Sequence, residues 1–134
     1  ILSATKSQPK PVVVLWGVAF KPNTDDIREA PALKVAQRLL EKGVEVRAAD
    51  PIVTQAQIDA VAGKGRVSLV ESEMKAAEGA DVLVLVTEWR QYRSPDFDEL
   101  RTLMRGSTLI DGRNQWSRRQ VTAAGFTYLG IGRS

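Results

Sequence analysis

The 134-residue chain contains no cysteine and no histidine. The first absence removes disulfides, thiol nucleophiles and thiolate metal ligands; the second removes the commonest general base and most zinc sites. Redox and hydrolytic chemistry thus lack their usual side chains, no catalytic or metal-ligating set is expected, and the sequence points to binding. No stretch approaches the roughly 20 apolar residues of a membrane span. The start shows no basic segment followed by an apolar one, as a secretory signal would. A soluble, cytoplasmic chain with no membrane partner is expected. Charge of one sign is also scarce: 19 Lys and Arg stand against 16 Asp and Glu, a formal net charge of +3. The basic residues are scattered rather than run together, so no nucleic-acid surface is expected, while a local site for a small anion remains open.

What is present is ordinary for one globular domain, with 43% hydrophobic and 26% charged residues. A chain of this length buries a core without disulfide or metal support. Residues 1–10, ILSATKSQPK, are polar and aperiodic. They read as a linker, the end of an upstream segment, with the domain itself over 11–134.

Apolar periodicity then alternates between two kinds. Val12 to Trp16 is a β-branched run of strand length that stops at Gly17, as a strand buried on both faces should be. Pro31 suits a first helical position, and Leu33, Val35, Ala36, Leu39 and Leu40 follow at helical spacing up to Gly43. Further strands are predicted over Val44–Ala49, Val67–Val70, Asp81–Thr87, Thr108–Asp111 and Phe126–Leu129. Helices are predicted over Gln55–Ala62, Glu73–Glu78 with Ser72 as cap, Phe97–Met104 and Trp116–Ala124. The run from Asp81 to Thr87 is the strongest strand and belongs at a sheet centre. About six strands alternating with helices give an α/β fold: a doubly wound, mostly parallel, Rossmann-like sheet in a three-layer αβα arrangement. Ligands of such sheets bind beyond the carboxyl ends of the strands, where strand order reverses. The loops after strands one, four and five are therefore the place to look.

The first of these loops runs from Gly17 to Ala30 and is neither a dinucleotide fingerprint nor a phosphate loop, having a single glycine. It sets Lys21 and Arg28 between a central strand and a helix N-terminus, where backbone N–H groups favour an anion. Lys21 would act as a point charge and Arg28 as a forked donor to phosphate; the alternative is that both are solvated and paired with Asp25, Asp26 or Glu29. Asp50, after the second strand, reads as a turn residue ahead of Pro51 rather than a ribose ligand, because no glycine fingerprint precedes it. Trp89 after strand four is read as packing, with stacking on a ligand as the alternative. Arg113, in Asp111-Gly112-Arg113-Asn114, can reach a base, a ribose or a phosphate, or be an exposed charge on a tight turn.

Taken together, the stretch Gly17-Val18-Ala19-Phe20-Lys21-Pro22-Asn23-Thr24-Asp25-Asp26-Ile27-Arg28-Glu29, with Thr87-Glu88-Trp89 and Asp111-Gly112-Arg113-Asn114, resembles the C-terminal, UDP-binding domain of the UDP-glucose/GDP-mannose dehydrogenase family. The resemblance spans roughly Pro11 to Arg133 and keeps three separated motifs in order. It implies that Phe20, Lys21 and Arg113 contact a UDP-sugar and that Arg28 reaches NAD across an interdomain cleft. Such enzymes oxidise the 6-hydroxyl of UDP-glucose twice with two NAD and a covalent thiol intermediate. They use an N-terminal NAD domain and a central helical segment through which the full protein forms a homodimer. The catalytic cysteine and the glycine-rich NAD loop have no counterpart here, so this chain alone is expected to be inactive. Trp16 stands where the family usually has a smaller aliphatic and reads as a packing variation. Three other readings are a stand-alone nucleotide-binding or regulatory module, the same domain for another nucleotide sugar, and, weakest, a receiver-type signalling domain, which would want clustered acids after strand one.

Overall fold

A computed structural model describes residues 11–18, 31–64, 66–87, 90–92, 95–112 and 115–130. Six strands are present among them: β1 (Val12–Trp16), β2 (Glu45–Ala49), β3 (Val67–Leu69), β4 (Val82–Leu85), β5 (Thr108–Asp111) and β6 (Thr127–Gly130). Between them lie α1 (Pro31–Glu41), α2 (Gln55–Ala62), α3 (Glu73–Ala77), α4 (Phe97–Leu103) and α5 (Arg118–Ala123), with a short 3₁₀ turn at Arg90–Tyr92. The strands pair in the order β3-β2-β1-β4-β5-β6, every pair parallel. The mostly parallel sheet expected from the sequence is thus wholly parallel among the described residues.

Why β1 reads as an unbroken apolar run is visible in the packing. Val12, Val14 and Trp16 face a core formed with Leu83, Leu85, Leu109 and Tyr128 of the sheet and with Ala76, Leu100 and Val121 from α3, α4 and α5. Val13 and Leu15 face the opposite core, with Val46, Ala48 and Val82 and with Ala36, Leu39, Ile58 and Ala62 from α1 and α2. A strand with helices on both sides has no polar face to alternate with. Each large aliphatic side chain so buried contributes about 1.5–3 kcal/mol.

Caps set the helix limits more tightly than hydrophobic period does. Thr54 and Gln57 form a reciprocal capping box at α2. Ser72, Asp96 and Ser117 accept the N–H of Lys75, Glu99 and Gln120. Because Ser117 is the cap, α5 starts at Arg118 and not at Trp116, which lies ahead of the helix with its side chain buried. Likewise β4 is shorter than the apolar run suggests. Thr87 N–H joins Val86 N–H on the same Trp16 carbonyl, which ends the ladder, and Asp81 turns its carboxylate to another use described below. The 3₁₀ turn at Arg90–Tyr92 has no signature in the apolar pattern.

Candidate functional site

Strand order reverses between β1 and β4, so the loops following β1, β4 and β5 leave the same edge of the sheet side by side. Phe20, Lys21, Arg28, Trp89 and Arg113 all belong to those loops and lie outside the described residues. What is described is the frame from which the loops depart, and it is held by specific bonds.

The loop after β1 departs through Gly17, whose φ of +91° is a conformation that suits glycine. A Cβ there would come within 2.4 Å of the Thr87 Cβ, so the roots of two loops meet with no room for a side chain. Gly17 N–H donates to the Ala49 carbonyl at 2.7 Å. One residue on, Val18 N–H donates to Asp50 Oδ2 at 2.9 Å, while Asp50 Oδ1 accepts from Ile52 and Val53 N–H, each at 2.9 Å. Asp50 is therefore an acceptor for backbone, as its turn reading proposes, and it also ties the first loop to the end of β2.

The loop after β5 is braced in the same manner. Gly112 N–H donates to the Leu85 carbonyl at 2.9 Å. The fully buried Asp111 presents Oδ2 to Trp116 N–H at 2.8 Å and to the Tyr128 hydroxyl at 2.9 Å. Trp116 Nε1–H donates onward to the Tyr92 carbonyl at 2.7 Å, and the Tyr92 hydroxyl donates to the Ala49 carbonyl at 3.2 Å. The chain of bonds thus runs from β5 through the segment after β4 and back to β2. Burial, reinforced by the nearby carboxylates of Asp50 and Glu73, pushes the Tyr92 phenol far above its ordinary value and keeps it a donor.

Beneath these loops lies an aromatic cluster. The ring centroids of Trp16 and Tyr92 are 5.2 Å apart, Trp116 meets Trp16 edge-on at 5.9 Å, and Phe97 meets Trp116 edge-on at 5.7 Å. The Trp16 indole N–H donates to the Glu73 carbonyl at 3.0 Å. Its packing role, expected from the sequence, is what the geometry shows. Sequence reasoning missed Tyr92 and Trp116 as parts of the frame. The available signal was a pair of large aromatics bordering loops at the ligand-binding edge, each with a polar tip in need of a partner.

Among the described residues no group of His, Cys, Asp and Glu is arranged to hold a metal ion. No helix among them is long and apolar enough to cross a membrane. All the bonds of the Asp50 carboxylate given above go to backbone N–H groups.

The model of the UDP-glucose/GDP-mannose dehydrogenase family, UDP binding domain, matches residues 14–118. Among curated relatives, a UDP-glucose 6-dehydrogenase of Pseudomonas aeruginosa is 49% identical over 124 residues, which cover 90% of this chain and 27% of the relative. A UDP-glucose 6-dehydrogenase of Rhizobium meliloti is 37% identical over 121 residues, again 90% of this chain and 27% of the relative. Among solved structures, a UDP-glucose dehydrogenase of Pyrobaculum islandicum superposes with a TM-score of 0.73 at 32% identity, covering 93% of this chain and 26% of that one. The chain spans about a quarter of the length of the curated relatives it matches. With six parallel strands, a strand-order reversal between β1 and β4 and a family match over most of its length, this chain belongs to the UDP-glucose/GDP-mannose dehydrogenase family, whose UDP binding domain it matches.

Proposed function

We propose that residues 11–134 bind the nucleotide half of a UDP-sugar and form one wall of the cleft in a longer, NAD-dependent UDP-glucose 6-dehydrogenase. Residues 1–10 are then the end of the segment that joins this domain to the rest. The observation that supports the reading is that the β1, β4 and β5 loops leave the sheet side by side at the strand-order reversal, each from a root held by backbone bonds. Phe20 and Lys21 on the first loop and Arg113 on the third contact the UDP-sugar, Lys21 and Arg113 through charge-assisted bonds to phosphate. Arg28 is assigned to NAD, bound mainly by a separate domain of the longer protein. Oxidation of UDP-glucose to UDP-glucuronate with two NAD and water belongs to that full protein, a cytoplasmic homodimer through its central segment. This chain supplies binding and orientation.

Titration of the chain with UDP, UDP-glucose and GDP, followed through backbone amide NMR shifts, tests the reading. Shifts around Phe20–Arg28 and Gly112–Asn114 with UDP and not GDP are expected. Lys21→Ala and Arg113→Ala should each weaken UDP binding by about 1.5–3 kcal/mol, the range for a hydrogen bond to a charged group. Unchanged affinity in both variants would remove the site. A second reading, a dehydrogenase for another nucleotide sugar, is favoured by the likeness to a UDP-D-ManNAc dehydrogenase of Pyrococcus horikoshii, 30% identical with a TM-score of 0.75 over 98% of this chain and 29% of that one. Preference for a UDP-N-acetylhexosamine over UDP-glucose in the full protein would select it.

A further inference from the structure

We infer that Gln55 guards the β3 edge of the sheet: its carboxamide fills the place of a further strand and keeps two copies of this chain from pairing through that edge. β3 stands last in the strand order, with β2 on one side only. An end strand whose outward N–H and C=O groups are open is a template for another strand, and proteins commonly blunt it. In the β2–β3 register Ser68 lies opposite Arg47, and Val70 N–H donates inward to the Ala48 carbonyl at 2.8 Å. Successive residues of a strand direct their backbone groups to alternate sides, so Val67 and Leu69 turn theirs outward.

Gln55, the first residue of α2, meets both. Its Nε2 donates to the Val67 carbonyl at 2.8 Å, and its Oε1 accepts the Leu69 N–H at 2.8 Å. One residue of a further parallel strand would make this same pair of bonds, donating to one residue and accepting from the second one along. The side chain thus stands in for a peptide unit. Its orientation is fixed from within the helix, because Nε2 also donates to Asp59 Oδ1 at 2.8 Å, one turn on. Reversing the amide would set its oxygen against both a carbonyl and a carboxylate.

The partner so excluded is a second copy, because the two covered groups complement themselves. Turned antiparallel about Ser68, one β3 offers its Val67 carbonyl to the Leu69 N–H of the other and receives the reciprocal bond, a closed two-fold contact. The same alignment brings the exposed Arg66 of each copy near the exposed Glu71 of the other, with the small, exposed Ser68 at the centre.

Sedimentation of the 134-residue chain over a range of concentrations, with thermal melting as the check on folding, tests this. Gln55→Ala should raise the average mass with concentration, above that of the unaltered chain under the same conditions. Adding Ser68→Lys sets like charges face to face at the centre of the contact and should return the mass to that of the unaltered chain. In dilute Gln55→Ala the Leu69 amide should exchange with solvent about tenfold faster than in the unaltered chain, while Val70, bonded to β2, stays slow. A folded Gln55→Ala whose mass matches the unaltered chain at every concentration, association that survives Ser68→Lys, or unchanged exchange at Leu69 would each overturn the inference. If alanine abolishes folding, Gln55→Glu, which keeps the length but loses the Nε2 donor, takes its place with the same pattern required.

Discussion

The two ends of the sheet both bury aspartate, and they neutralise it by different means. At the amino ends, Asp81 stands just ahead of β4, accepts the N–H of Val12 at 2.8 Å and receives the Arg105 guanidinium as a two-pronged donor at 2.8 and 2.5 Å. Burial alone would raise the Asp81 carboxyl, but the Arg105 bond and the Val12 N–H outweigh it and hold the carboxyl below its ordinary value. At the carboxyl ends, Asp50 and Asp111 take the backbone N–H groups of the loops themselves, Val18 in one case and Trp116 in the other. The amino end is a closed electrostatic latch that joins two strands and a loop. The carboxyl end spends its acceptors on shaping loops from which a ligand site can be built. The lesson is that a buried carboxylate is not by itself a mark of function; what it bonds decides.

The largest effects should come from the glycines that allow close approach at each end. At Gly106 a Cβ would fall 2.1 Å from the Asp81 carbonyl oxygen, and at Gly17 it would fall 2.4 Å from the Thr87 Cβ at a positive φ. Gly106→Ala and Gly17→Ala are each expected to cost about 3 kcal/mol in denaturant unfolding. At a temperature where both variants remain folded, UDP affinity should fall only in Gly17→Ala. An equal loss of affinity in Gly106→Ala would break the division between the two ends.

The next effect separates the ends by pH. Asp81 has a depressed folded value, so its stabilisation is present above the unfolded carboxyl value of about 3.9 and is lost as pH falls through the folded one. Asp81→Asn should therefore lower stability at neutral pH by about 2 kcal/mol and flatten the acid limb of the stability curve. The Tyr92 phenol behaves in the opposite sense. Its folded value is raised, so its stabilisation is complete below the unfolded value of about 10 and is lost as pH rises beyond it. Tyr92→Phe removes the bond to the Ala49 carbonyl and should cost about 1 kcal/mol at neutral pH while reducing the alkaline loss. An acid limb unchanged in Asp81→Asn, or an alkaline limb unchanged in Tyr92→Phe, would show that these groups do not govern their ends.

Most of the architecture was legible because buried parallel strands are written as uninterrupted apolar runs. Val12–Trp16 and Thr108–Asp111 appear with the bounds read from sequence, and Gln55–Ala62 does so because Thr54 and Gly63 punctuate it. The ends of β4 and α5 were less legible for a common reason: Asp81, Thr87 and Trp116 fit the local period, but Asp81 and Thr87 bond to Val12 and Trp16 of β1 and the Trp116 indole bonds to Tyr92. The edge from which the candidate loops leave was legible, since alternating strands and helices make a parallel sheet whose carboxyl ends all lie on one side. Its bracing was not, because the bonds from Asp111 to Tyr128 and from Trp116 to Tyr92 join residues 17 and 24 positions apart. No period or spacing rule connects such pairs.

The aromatic cluster under the loops has an optical consequence. Two of the three tryptophans, Trp16 and Trp116, are shielded from water and have ring centroids 5.9 Å apart at the carboxyl end of the sheet. Indole emission shifts toward the blue in such surroundings, and the two rings are close enough to share excitation. The chain therefore carries two buried indoles at the edge from which the three loops rise, and their emission follows the order of that frame without any added label.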